Sequence, residues 1–171
     1  DDFSLPVVVP GLTNGIAQIA DMFIEKDDNV VLPDMFWGNY KLIFQDRKQA
    51  NIKTFSFFTS EGSLNTKGLK EALISSEKNG KIILLLNFPN NPTGYTPTKE
   101  EAEKVISIIT SLAEEGKKIL VVSDDAYFGL FYEEDIYTES FFSGLAQAHE
   151  NILAVKVDGT TKEDYAWGFR I

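Results

Sequence analysis

The stretch KIILLLNFPNNPTGY, Lys81 to Tyr95, decides the fold. An aliphatic run, Ile82 to Leu86, is followed by Pro89, Pro92 and, a little further on, Pro97. A short aliphatic run bounded by breakers reads as a strand buried on both faces, as in a parallel sheet. Proline has no N–H to give to a ladder, so the strand stops by Pro89. Asn90-Asn91-Pro92-Thr93-Gly94 is then a polar loop at the carboxyl end of a buried strand, where open α/β sheets bind ligands. An Asn-Pro pair alone is an ordinary turn. Features elsewhere in the chain give this one more weight.

Upstream, Leu5 to Val9 is a short aliphatic run and a candidate strand, broken by Pro10-Gly11-Leu12-Thr13-Asn14-Gly15. Ile16, Ile19, Ala20, Phe23 and Ile24 follow at helical spacing. Strand, glycine-rich turn and helix make an anion site, because free N–H groups and the helix dipole point at the turn. The turn is neither GxGxxG nor a P-loop, and a plain strand-to-helix turn explains it equally well. Asn29 to Leu32 reads as a second strand ended by Pro33, and Asn51 to Phe57 as a third. Between them lies an aromatic loop, Asp34 to Tyr40, whose Trp37 can stack on a flat ligand or pack in the core. Thr66 to Lys78 reads as a helix stopped near Gly80.

Downstream, Thr98-Lys99-Glu100-Glu101 is a capping box opening a helix that runs to Gly116. Lys117 to Val122 is a fifth strand, with Asp124-Asp125-Ala126-Tyr127 at its carboxyl end. Phe141 to Ala148 is a short helix, and Asn151 to Val157 a sixth strand leading to Asp158-Gly159-Thr160-Thr161-Lys162. Alternating strands and helices predict parallel strands with right-handed crossovers, hence a mostly parallel three-layer α/β/α sandwich. The loops that follow the strands then share one sheet edge, which gathers Gly11 to Gly15, Trp37, Asn91, Asp124, Tyr127 and Lys162.

Composition narrows the function. The chain has 171 residues, 25% charged and 43% hydrophobic, enough for one domain with a real core. A net charge of −10 argues against nucleic acid and anionic membrane as partners. With no cysteine and one histidine, His149, disulfides, thiolate metal sites and histidine clusters are excluded. No stretch is long and apolar enough for a membrane helix and no signal peptide is recognisable, so a cytoplasmic protein is expected. The first residue is not Met and both ends look cut, which suggests a piece of something longer.

The gathered residues offer an anion cradle, a flat aromatic, an amide, a carboxylate, a phenol and a lysine, with Arg170 eight residues beyond Lys162. Together they suit a flat, phosphorylated, heteroaromatic aldehyde. A lysine forms a Schiff base with the aldehyde, a buried carboxylate keeps a ring nitrogen protonated, and an arginine and loop N–H groups bind phosphate. Pyridoxal 5′-phosphate has all of these parts.

At this point the chain resembles the large, cofactor-binding domain of the class I/II aminotransferases, the fold-type I pyridoxal-phosphate enzymes, over nearly its whole length. Asn91-Pro92-Thr93-Gly94 is similar to the family's Asn-Pro-Thr-Gly element, and Asp124-Asp125-Ala126-Tyr127 to its Asp-x-Ala-Tyr. The resemblance implies that Asn91 and Tyr127 contact the ring hydroxyl and Asp124 the ring nitrogen. It further implies that Lys162 is the Schiff-base lysine, Arg170 and Gly11-Leu12-Thr13 bind the phosphate, and Trp37 stacks on the ring. It also implies a cis bond between Asn91 and Pro92. Two departures stand out. Gly159 replaces the usual hydroxyl residue three places before the lysine, and Leu12 replaces the usual small residue of the phosphate loop.

The implied activity is transamination between an amino acid and a 2-oxo acid in a homodimer. Alternatives with the same core are a ligand-sensing domain of a transcription regulator and a carbon–sulfur lyase. The resemblance implies one cofactor-binding domain over residues 1–171, without an N-terminal arm or a C-terminal small domain. An antiparallel strand between the first and sixth strands is expected to lie beyond Arg170. The arginine that grips the substrate carboxylate in the family belongs to the small domain, so the 171 residues alone are expected not to turn over.

Overall fold

The computed structural model describes residues 3–168. Five strands, β1 (Asn29–Pro33), β2 (Asn51–Phe55), β3 (Lys81–Asn87), β4 (Lys118–Asp124) and β5 (Ile152–Val157), form one sheet in the order β2-β1-β3-β4-β5. All neighbouring strands are parallel. The central strand is where the aliphatic run places it, and its period-two alternation divides the core. Ile82, Leu84 and Leu86 point to one face, where α2 (Thr66–Ser76), α3 (Lys99–Glu114) and α4 (Phe141–Leu145) pack. Ile83 and Leu85 point to the other, covered by α1 (Leu12–Phe23) and a π-helix over Lys41–Arg47. A helix on each face is the expected three-layer α/β/α sandwich.

The layers also explain where a crevice opens. The connection leaving β1 runs through the π-helix on one face. The connection leaving β3 runs through α3 on the other. β1 and β3 are neighbours, so their outgoing chains diverge and leave a gap at the carboxyl edge, which is the topological switch point.

The candidate strand Leu5–Val9 is not one. The segment pairs with no strand, and Leu5, Val7 and Val8 are 87%, 80% and 96% exposed. An aliphatic run becomes a strand only beside a free edge, and here a gap of about 640 Å³ lies between the segment, α1 and β5. The sheet thus has five strands where the sequence suggests six. The third ends at Phe55, short of Phe57, and the short helix ends at Leu145. The π-helix and a four-residue helix α5 (Thr160–Glu163) are additions.

The capping box at Thr98 is present in full, and its Glu101 does more than cap. Its carboxylate accepts from the Thr98 N–H (2.8 Å), the Leu64 N–H (2.7 Å) and the Tyr95 hydroxyl (2.8 and 2.9 Å). It therefore ties the loop after β3 to the loop before α2. Burial pushes this carboxyl up, but the Thr98, Leu64 and Tyr95 donors outweigh burial and hold it below the usual range. A lowered folded value stabilises above the unfolded value, about 4.3, and the gain is lost as pH falls through the folded value. Glu101→Ala, which strands three donors, the Leu64 N–H buried and the other two part-buried, is expected to cost about 2–4 kcal/mol at pH 7. Urea titration should show that gap closing in acid; an equal gap at pH 7 and at pH 3 would contradict the role given to the carboxylate.

Candidate functional site

The divergence of β1 and β3 leaves a cavity of about 360 Å³ at the carboxyl edge of the sheet. Gly11, Leu12, Thr13, Trp37, Asn91, Asp124, Tyr127 and Lys162 all line it. Arg170 lies outside the described residues. Trp37 follows β1, Asn91 β3, Asp124 and Tyr127 β4 and Lys162 β5, while Gly11, Leu12 and Thr13 open α1, and strand register sets the relative heights of the strand ends. Asn87 at the end of β3 is opposite Asp124 at the end of β4, which is in turn opposite Val157 at the end of β5.

One wall is the start of α1. Gly11 is the N-cap, at φ 88°, a backbone conformation that favours glycine. It brings no capping side chain, and the first backbone bonds back to its carbonyl come from Asn14 and Gly15. The Leu12 and Thr13 N–H groups therefore remain as donors on the cavity wall, with the positive end of the helix dipole behind them. Gly159 lies nearby, and a Cβ there would meet Leu12 Cγ at 3.7 Å, ordinary contact.

The opposite wall comes from the polar loop after β3. Asn90 is buried and organises it: its side-chain oxygen accepts from the Thr93 N–H (3.2 Å) and hydroxyl (2.8 Å). Its carbonyl accepts from the Gly94 N–H at 2.7 Å. Asn91 follows on the cavity side, with a cis bond to Pro92; the Phe88–Pro89 bond is cis as well. Asn87, which sequence reasoning passed over as the last strand residue, joins this loop to β4. Its side-chain oxygen accepts from the Asn91 N–H at 2.8 Å, and its amide donates to the Asp124 carbonyl at 2.8 Å.

Asp124 forms the floor at 4% exposure. Its Oδ2 accepts from the Tyr40 hydroxyl at 2.5 Å and its Oδ1 from the Ala126 N–H at 3.1 Å. Burial pushes its carboxyl up, Tyr40 and Ala126 pull it down, and the charges of Asp125 and Asp158 push it up again; the net direction is up. Among the described residues no lysine or arginine pairs with it. Asp125 points away, to an ion pair with Lys156 at 3.3 Å. Lys156 also pairs with Asp158 (2.9 Å) and lies over the Phe128 ring at 4.4 Å. Alternation along β4 thus sends one carboxylate to the cavity and its neighbour into a local ion cluster. Above the floor, the Lys162 amine lies 5.9 Å from the Tyr127 ring centroid, and Trp37 is half-buried on the rim.

Such a cavity, with donors for an anion at one side, a buried carboxylate on the floor and an amine above, matches a known fold. The model of the family described as aminotransferase class I and II matches residues 4–171. The chain belongs to the class I and II aminotransferase family. The mitochondrial aspartate aminotransferase of Saccharomyces cerevisiae is 34% identical over 122 residues, 67% of this chain and 25% of that protein. The aspartate aminotransferase of Bacillus sp. strain YM-2 is 25% identical over 169 residues, 96% of this chain and 39% of the relative. Among solved structures, an aminotransferase from Anaerococcus prevotii superposes with a TM-score of 0.84 at 31% identity, over 95% of this chain and 40% of the other. The chain spans a quarter to two-fifths of the length of these relatives.

Asn87→Ala in this aminotransferase-family domain takes the side-chain acceptor from the Asn91 N–H and one donor from the Asp124 carbonyl. The expected loss is about 2–3 kcal/mol in urea unfolding. A loss below about 0.5 kcal/mol, the range of an uninvolved surface residue, would remove Asn87 from the site's support.

Proposed function

We infer that the protein is a pyridoxal-phosphate-dependent aminotransferase, exchanging an amino group between an amino acid and a 2-oxo acid. The observation that carries the reading is the placing, on one cavity, of Lys162 with the buried carboxylate of Asp124, which has no cation partner among the described residues. The donor set fits the cofactor at every part: N–H groups for a phosphate, a carboxylate for a protonated ring nitrogen, an amide and a phenol for a ring hydroxyl. When bound, pyridoxal phosphate supplies an aldehyde that condenses with amines and a protonated ring that draws electrons from the substrate's Cα.

The chain's own groups divide the rest of the work. The Leu12 and Thr13 N–H groups anchor the phosphate, with Arg170 as the charged partner that the family resemblance implies. Trp37, on the cavity wall, would cover one face of the ring and exclude water. Asn91 and Tyr127 orient the ring through its hydroxyl. Asp124 would hold the proton at the ring nitrogen, which a buried carboxylate with two neutral donors and, among the described residues, no cation partner is suited to do. The Lys162 amine would hold the cofactor covalently at rest and, once the substrate's amine had displaced it, would be free to take the proton from the substrate's Cα as general base. A homodimer in the cytoplasm completes the reading; the longer relatives leave room for the walls and the substrate-carboxylate grip that these residues lack.

Borohydride reduction of the full-length protein with pyridoxal phosphate tests the assignment of Lys162. The cofactor's mass should be fixed on the peptide that contains Lys162 and on no other. A label on a different peptide, or none with cofactor bound, would sink the reading.

A further inference from the structure

Asn90 does not line the cavity, yet each of its four polar groups is used beside it. Its backbone N–H donates to the Tyr95 carbonyl at 2.9 Å, and its carbonyl accepts from the Gly94 N–H at 2.7 Å. Its side-chain oxygen takes the Thr93 N–H and hydroxyl. These bonds close the loop that carries Asn91. The side-chain amide leaves that loop and donates to the Met35 carbonyl at 3.4 Å. Met35 lies in the loop after β1, two residues before Trp37. The amide therefore crosses the gap between the diverging exits of β1 and β3. The bond is long, but Asn90 is 5% exposed, so an amide that let go of Met35 would find no water in exchange.

The loop after β1 has few other ties. At one end the Asp34 N–H donates to the Phe55 carbonyl at 2.8 Å, and the Asp34 side chain accepts from the Phe57 N–H at 2.9 Å. At the other end Tyr40 is held to the floor by Asp124. Between these anchors, among the described residues, the Asn90 amide gives residues 35–39 their one hydrogen bond from another part of the chain. We propose that Asn90 is a positioning residue that sets the width of the crevice, fixing the wall that carries Trp37 against the wall that carries Asn91. That purpose rests on the functional reading of the cavity, in which Trp37 would cover a ring face and Asn91 would meet the ring hydroxyl. Two contacts to one flat ring from facing walls have to be spaced together. An asparagine joins the walls through one planar group, with an acceptor for its own loop and a donor for the other. Aspartate, of the same size, keeps the acceptor and loses the donor; leucine loses both.

The test uses the full-length protein labelled with fluorotryptophan, without cofactor, with Trp37→Phe to assign the Trp37 signal. Asn90→Asp and Asn90→Leu should each raise the broadening of that fluorine signal by a soluble nitroxide about twofold or more, as the wall comes free. Lys81→Met, which removes the ion pair with Asp28 at the amino edge of the sheet, should lose stability and leave the signal in place. Asn90→Asp should also raise the dissociation constant of pyridoxal phosphate about tenfold. Should neither Asn90 variant fold, the wild-type Asn90 amide is followed by ¹⁵N NMR. One of its protons should exchange with water about tenfold more slowly than those of the exposed Asn39. A Trp37 signal unmoved in Asn90→Asp, moved as much by Lys81→Met, or moved with cofactor affinity intact overturns the role of Asn90, as does an amide that exchanges like that of Asn39; the functional reading then stands. A signal that moves as expected in a protein that binds no pyridoxal phosphate overturns the functional reading, and with it the purpose assigned to the bridge.

Discussion

The in-register pairing of β3 with β4 is the constraint on which the rest depends. Seven residues of each strand match one to one, Lys81 with Lys118 through Asn87 with Asp124. Both strands are buried on both faces, so a slip of one residue would exchange the two core faces. That penalty fixes the heights of the strand ends. Asn87 and Asp124 therefore arrive side by side, and Asn87 can bond to both the Asp124 carbonyl and the Asn91 N–H. Packing of Leu84, Leu85, Val121 and Val122 sets the geometry of the floor, although none of them lines it.

The electrostatic problem is the accommodation of a buried carboxylate in a chain of net charge −10. Two neighbouring carboxylates, Asp125 and Asp158, make it harder. The fold separates the charges by assigning them different partners. Lys156 takes Asp125 and Asp158 on one side of β4's exit. Tyr40 and the Ala126 N–H take Asp124 on the other, with no cation partner among the described residues. Neutral donors keep the anion soluble in the protein yet leave its demand for a positive partner unmet. A lysine there would have met that demand permanently and closed the floor to a ligand. The same economy operates at α1, where Gly11 withholds a capping side chain and leaves N–H groups for an external anion.

Much of this was legible in the sequence. The aliphatic run at Ile82–Leu86, the capping box at Thr98 and the strand exits at Asn91, Asp124 and Lys162 are local signals, and the sheet edge brings them to one cavity. What was not legible depends on distant partners. Leu5–Val9 has strand composition, but pairing needs a neighbouring edge, which composition cannot report. Tyr40 and Asn87 looked like ordinary loop and strand residues; their roles exist only through Asp124, 84 and 37 positions away. The π-helix has no simple apolar period, and α5 is too short to leave one. Arg170 lies outside the described residues, so its place rests on the family resemblance and its spacing from Lys162.

The account stands or falls on which member of the acidic pair serves the site. In the full-length protein, pyridoxal phosphate affinity and turnover are measured for Asp124→Ala and Asp125→Ala side by side. Asp124→Ala should weaken cofactor binding by about 1.5–3 kcal/mol, the value of a charge-assisted hydrogen bond. Its turnover should fall much further, by about a thousandfold or more, because the ring loses the group that keeps it protonated. Asp125→Ala should retain both and lose stability instead, as Lys156 loses a partner. Greater loss of turnover in Asp125→Ala than in Asp124→Ala would contradict the account.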